Sequence, residues 1–143
     1  VLPLAGRSAF AQPARSSAVI RTLEWEATAR WYEDKLNFRR LGERDTVQGH
    51  SVLLDRGGFL LEVTEYEREA IAPLSGVLIF TLNVADVDEE IERLRALDVE
   101  IVRDPFDELS GRRRAAAIAD NEQRIVRLRE SLGSPASFNP SAR

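Results

Sequence analysis

A strand and helix unit occurs twice in this chain, as AVIRTLEWEATARWYEDKLNF over Ala18 to Phe38 and as FTLNVADVDEEIERLRALDVEIV over Phe80 to Val102. Ala18 to Leu23 is β-branched and half alternating, the pattern of a strand, and Trp25, Ala29, Tyr32 and Leu36 then recur at the spacing of one helical face. In the second copy, Val77 to Val84 alternates, and Asp86-Val87-Asp88-Glu89 opens a helix with a capping-box-like pattern. Its carboxylates sit at the positive end of the helix dipole. Val87, Ile91, Leu94 and Leu97 give the buried stripe expected of that helix. Three strand-like segments follow each helix. They are Phe38 to Thr46, Gly49 to Arg56 and Phe59 to Glu65 in the first copy, and Val99 to Arg103, Arg113 to Ala119 and Ile125 to Arg129 in the second. Glycines in Asp55-Arg56-Gly57-Gly58 supply the positive φ that a hairpin needs, and further turns are expected at Asp104-Pro105, Ser110-Gly111 and Asp120 to Gln123. The order is βαβββ, linker, βαβββ.

A helix laid on one face of a small sheet leaves the other face open, and two open faces can enclose a space. The expected fold class is therefore α+β: two βαβββ modules forming a curved mixed sheet around a cavity. The expected boundaries are an extension over 1–16, a first module over 17–66, a linker over 67–75, a second module over 76–131 and a tail over 132–143. Alternation assigns Ala18, Ile20 and Thr22, with Phe80, Leu82 and Val84, to the helix side. Ser17, Val19 and Arg21, with Ile79, Thr81 and Asn83, then face the cavity.

Composition narrows the function classes. A chain of 143 residues can bury a core without staples, and the absence of cysteine excludes a thiol nucleophile, a zinc-thiolate site and an iron–sulfur cluster. A net charge of -4 argues against a general nucleic-acid binder, which carries positive charge to displace phosphate counterions. The run Arg112 to Arg114 is a short basic turn, read as solvated. No apolar run approaches the roughly 20 residues of a spanning helix. Ala9-Phe10-Ala11 before Gln12-Pro13-Ala14 has the small residues of a signal cleavage site, but a charged n-region and a long apolar core are missing. Val1 to Ser16 is read as a flexible extension, and the protein as cytoplasmic, with no nucleic-acid or membrane partner.

Several segments carry a family resemblance. Trp31-Tyr32 followed by Lys35-Leu36-Asn37-Phe38 resembles F-Y…L-G-F, and Asp86-Val87-Asp88 followed by Leu94-Arg95-Ala96-Leu97-Asp98-Val99 resembles D-V-D…L-R-A-L-G-V. Gly111-Arg112 and Asp120 to Leu128 resemble a G-R…D-P-D-G-N-x-x-x-L ending. In this order the motifs are similar to those of the vicinal oxygen chelate superfamily, which includes glyoxalase I, extradiol dioxygenases and bleomycin-resistance proteins. The resemblance runs from Ser17 to about Glu130. Asn37, Asp98 and Gln123 stand where that pattern has glycine, and Asn121 where it has proline.

The resemblance implies a divalent ion held by the first and last strands of each unit, at positions that fall here on Ser17, Glu62, Ile79 and Arg127. A divalent cation wants neutral nitrogen or anionic oxygen donors, and a guanidinium stays protonated. His50 is the only histidine, so a histidine-rich site is excluded within one chain. No metal and no other cofactor is expected, and Glu62 and Arg127 are expected to form an ion pair, within one chain or across a dimer. The pocket then suits a small organic ligand: Trp25, Trp31, Phe59 and Phe106 as candidate walls, with Glu62, Arg127, Arg21, Thr81, Asn83, His50 and Arg129 as candidate polar contacts. Trp31 and Tyr32 are better read as packing the helix on its sheet. The alternative is a divergent lyase, isomerase or dioxygenase using an atypical metal site or Glu62 as general base. The resemblance implies a homodimer, and the exposed edges of open sheets are an independent reason for pairing.

Overall fold

The computed structural model describes residues 16–47, 49–66, 76–108 and 113–130. The first module contains β1 (Ser17–Thr22), α1 (Trp25–Leu36), β2 (Arg39–Thr46), β3 (Gly49–Arg56) and β4 (Phe59–Glu65). The second contains β5 (Leu78–Val84), α2 (Val87–Ala96), β6 (Ile101–Asp107), β7 (Arg114–Ala119) and β8 (Ile125–Glu130). The expected order βαβββ is therefore present in both halves. The extension over 1–15, the linker over 67–75, the Ser110-Gly111 turn and the tail over 132–143 lie outside the described residues.

Each module makes one four-stranded sheet, in the orders β1-β4-β3-β2 and β5-β8-β7-β6. The strand that precedes each helix pairs in parallel with the last strand of its module, β1 with β4 and β5 with β8, because only a crossover allows a parallel neighbour. The other pairs are antiparallel.

Alternation puts the apolar residues under the helices. Ile20, Val52, Leu54, Leu61 and Val63 are buried in the first sheet, and Phe80, Leu82, Ala116, Ile118, Val126 and Leu128 in the second. Ala29, Tyr32 and Leu36 of α1 and Val87, Ile91 and Leu94 of α2 complete the same cluster. The two modules share this core: Phe80 stacks on Phe59 at 4.9 Å between ring centroids and lies 6.1 Å from Tyr32. Asp86 caps α2 as its sequence suggests, accepting from the Glu89 N–H at 3.0 Å. Leu97 departs from the expected stripe. The helix stops at Ala96, so Leu97 is the C-cap and is 36% exposed.

The three positions where the resemblance expects glycine keep a glycine-like backbone without one. Asn37, Asp98 and Gln123 have φ of 57°, 61° and 68°, the left-handed region that a Cβ disfavours. Asn37 and Asp98 close α1 and α2 respectively, each followed by an N–H that returns to the helix, from Phe38 to Tyr32 O and from Val99 to Leu94 O.

A buried polar cluster fastens the modules together. Asp120, in the turn before β8, accepts from the Tyr32 hydroxyl at 2.6 Å and from Arg124 Nη1 at 3.0 Å. Arg124 Nη2 donates to the Arg21 carbonyl at 2.8 Å and to Glu122 at 2.5 Å. Glu122 in turn accepts from Thr22 at 2.6 Å. Burial, reinforced by the Asp120 carboxylate, pushes the Tyr32 phenol well above its ordinary pKa.

Candidate functional site

The open faces of the two sheets carry the candidate site residues, and strand register fixes which of them are neighbours. In the first module Glu62 of β4 stands beside Val19 of β1 and Leu53 of β3. Its Oε2 accepts from Thr64 at 3.2 Å and lies 3.7 Å from Arg44 Nη2. Ser51 and Thr64, also neighbours in register, share a buried hydrogen bond of 3.0 Å. At the sheet's far corner Arg39 lies 3.8 Å from Asp55. Arg21 is exposed on β1, and its carbonyl serves the inter-module cluster.

In the second module two rows of the open face each run across all four strands. One row is Thr81, Arg127, Ala117 and Arg103, and the next is Asn83, Arg129, Ala115 and Phe106. Arg127 Nε donates to Thr81 at 3.2 Å. Arg129 Nη2 donates to Glu108 at 3.1 Å, while its Nε lies 2.8 Å from the other carboxylate oxygen but off the hydrogen-bonding axis. The Arg103 guanidinium carbon sits 3.5 Å from the Phe106 ring centroid, a cation–π contact. Sequence reasoning misses Arg103. Register shifts in β6 between Ile101 and Arg103, and again between Arg103 and Phe106, bring both side chains onto the face of Ala115 and Ala117.

Four expectations need correction. Ile79 falls at the bulge between Leu78 and Phe80 and packs against the core. Phe59 is on the helix side, stacked on Phe80, and with Asn83 it lines an open cleft of about 320 Å³ between the β3–β4 hairpin and β5. His50 is also on the helix side, sharing its face with Val52 and Leu54. Its ring lies 4.1 Å from that of Trp25 of α1. Both ring nitrogens are engaged, Nδ1 with Asp45 and Nε2 with Glu43, each at 2.8 Å. Asp45 first, and then Glu43, hold the imidazole above its ordinary pKa. Glu62 and Arg127 do not pair within the chain: Glu62 lies by Arg44 and Thr64, and Arg127 by Thr81.

The residues present do not fit the divalent ion that the resemblance implies. Of the four positions Ser17, Glu62, Ile79 and Arg127, a single one is a carboxylate, already bonded, and another is a guanidinium. Among the described residues, Asp86, Asp88 and Glu130 form a carboxylate triad with oxygens within 4.8 Å of one another. All three are engaged elsewhere, since Asp86 caps α2, Glu130 accepts from the Val87 N–H at 3.2 Å, and Asp88 holds Arg114 at 2.7 Å. Among the described residues no helix is long and apolar enough to cross a membrane.

Comparison with known proteins places this geometry in a family. Residues 16–124 match the family model described as Glyoxalase/Bleomycin resistance protein/Dioxygenase superfamily. A member of that superfamily from Sphaerobacter thermophilus has a solved structure with a TM-score of 0.70 at 21% identity, covering 84% of this chain and 98% of its own. TnmS3, an antibiotic binding protein from Streptomyces, superposes with a TM-score of 0.67 at 16% identity over 84% of this chain and 97% of its own. A lactoylglutathione lyase from Agrobacterium tumefaciens gives 0.64 at 18% identity over 85% and 96%. These identities speak for the fold alone. No curated protein sequence matches the chain. The family match spans most of both modules, and the chain belongs to the glyoxalase/bleomycin resistance protein/dioxygenase superfamily.

Proposed function

We propose that this protein binds a small organic molecule on the open faces of its sheets and does so without a catalytic metal. The observation that carries the reading is the pair of residues at corresponding places in the two modules. Glu62 lies against Arg44, and its counterpart Arg127, bonded to Thr81, is a guanidinium that cannot ligate a cation. An antibiotic binding protein among the structural neighbours supports a binding role for a fold of this kind. The enzymatic alternative is Glu62 as general base: Thr64 donates to its Oε2, and Oε1 has no hydrogen-bond partner among the described residues. A base needs a free oxygen within hydrogen-bond reach of the proton it abstracts.

Superfamily members commonly dimerise, and a homodimer is proposed here as well. Purified protein should contain no stoichiometric metal by elemental analysis. In a thermal-shift screen it should be stabilised by organic compounds and not by divalent ions. Stoichiometric metal, or stabilisation by a metal alone, would overturn the reading. A monomer in sedimentation at micromolar concentration would remove the dimer and leave the binding function standing.

A further inference from the structure

The open face of the second sheet has an unbalanced charge. Arg103, Arg127 and Arg129 stand on it against one carboxylate, Glu108, which takes only Arg129. Arg127 spends its Nε on Thr81, and among the described residues neither its terminal nitrogens nor Arg103 has a carboxylate partner. Between the arginines the floor is low. Ala117 separates Arg127 from Arg103, and Ala115 separates Arg129 from Phe106. Adjacent strands lie just under 5 Å apart, so the stems of Arg127 and Arg103 are separated by roughly 10 Å. Ala115 is fully buried, so the slot opens over the half-buried Ala117, between Arg127 and an Arg103 whose guanidinium rests on the Phe106 face.

Resting on the small-molecule reading above, we propose that this slot binds a small organic anion, a carboxylate or phosphate carried on a flat apolar body. Guanidinium forks match the oxygen pairs of both groups and bind them through charge-assisted hydrogen bonds. The half-buried Ala117 admits the edge of the ligand body, and the part of the Phe106 ring that Arg103 leaves uncovered adds apolar surface. The same surface would repel a cationic ligand. Two bulges in β6 build the site, since they bring Arg103 and Phe106 to the face that Arg127 and Arg129 already occupy.

Titration calorimetry with benzoate, phenyl phosphate, inorganic phosphate and benzylamine tests this assignment on the full chain. Benzoate or phenyl phosphate should bind, inorganic phosphate at least tenfold more weakly, and benzylamine not at all. Whichever of benzoate and phenyl phosphate binds more tightly identifies the anionic group. Arg127→Gln and Arg103→Gln should each weaken binding at least tenfold, and Ala117→Leu, which fills the floor, should do the same. Arg39→Gln on the first sheet should leave binding unchanged. Arg103 is exposed and outside the core, so its variant keeps the test alive if an Arg127 variant fails to fold. The proposal is overturned if no anion binds at millimolar concentration, if benzylamine binds as well, or if binding ignores the three slot variants. It is also overturned if Glu62→Gln both dissociates a dimer and strengthens anion binding, which would show the slot occupied by Glu62 of a second copy. An organic ligand insensitive to the slot variants would end this inference alone, whereas a stabilising metal without an organic ligand would end the binding reading as well.

Discussion

The two modules share an architecture and a core but differ on their open faces. In the first, charges are answered locally: Glu62 lies by Arg44, Asp55 by Arg39, and Ser51 bonds to Thr64. In the second, Arg103 and Arg127 find no carboxylate partner among the described residues, and Glu108 reaches only Arg129. Glu62 and Arg127 hold corresponding places, each on the last strand of its module beside the edge strand, yet carry opposite charge. The helix side is held by packing of large buried residues, where even one methylene matters. The open side carries fewer large buried residues, and the two copies diverge there.

The comparison breaks most visibly at the junction. Replacing Arg124 with Ala leaves the buried Asp120 with only Tyr32 and backbone donors. The expected loss is about 3 kcal/mol, at the low end for a broken buried ion pair because those donors remain. Both tryptophans, Trp25 and Trp31, belong to the first module. Denaturation followed by tryptophan emission and by far-ultraviolet circular dichroism should therefore coincide in the parent protein and separate in this variant. Coincident curves with less than about 1 kcal/mol of loss would show that the modules are held by the apolar core alone. Tyr32→Phe, which removes a donor from the same carboxylate, should cost about 1 to 2 kcal/mol by urea denaturation.

A smaller effect sharpens the comparison at the helix ends. Asn37 and Asp98 occupy matching left-handed positions, and Asn tolerates that conformation better than most residues with a side chain. Asp98→Gly should therefore raise stability by about 0.5 to 1 kcal/mol and Asn37→Gly by less, since relief of the Cβ clash is partly offset by a more flexible unfolded chain. Gln123→Gly should behave like Asp98→Gly. Equal or negative changes in thermal midpoint at all three sites would show that the side chains contribute contacts that glycine loses.

The smallest expected effect belongs to the first module alone, because His50 has no counterpart in the second. Its folded pKa is raised above the unfolded value of about 6.5. Its pairing with Asp45 and Glu43 is therefore fully stabilising below that value and is lost as pH rises through the folded pKa. The pair is largely solvated, so the change is small. Trp25 emission, quenched by the imidazolium against it, should rise over the same pH range. His50→Gln should abolish both changes, and a pH response that survives this substitution would remove His50 as its source.

Much of this fold is legible because two periodicities alternate twice, 3.6 under the helices and 2 along the strands. Ile20, Thr22, Leu82 and Val84 are buried as parity predicts. Parity also holds information that choosing pocket walls residue by residue overlooks. Phe59 shares its parity with Leu61 and Val63, and His50 shares its own with Val52 and Leu54, so all of them lie under α1. The site is less legible for two reasons. Arg44 meets Glu62 only through strand register, and bulges at Ile79 and around Arg103 shift the alternation by one residue. The Tyr32–Asp120 bond spans 88 residues of sequence and joins two ordinary-looking segments. Only the folded chain brings them together.

Those irregularities in β6 have a consequence for how such a fold acquires new ligands. A regular strand ties its two faces together, since moving one side chain outward moves its neighbours inward. Two extra residues relax that coupling within a few positions, and pairing continues on either side of them, from Ile101 with Ile118 at one end to Asp107 with Arg114 at the other. Insertions of this kind could thus repopulate the outer surface of a module while leaving its interior undisturbed. In a duplicated chain, the second copy can take such a step while the first preserves the scaffold.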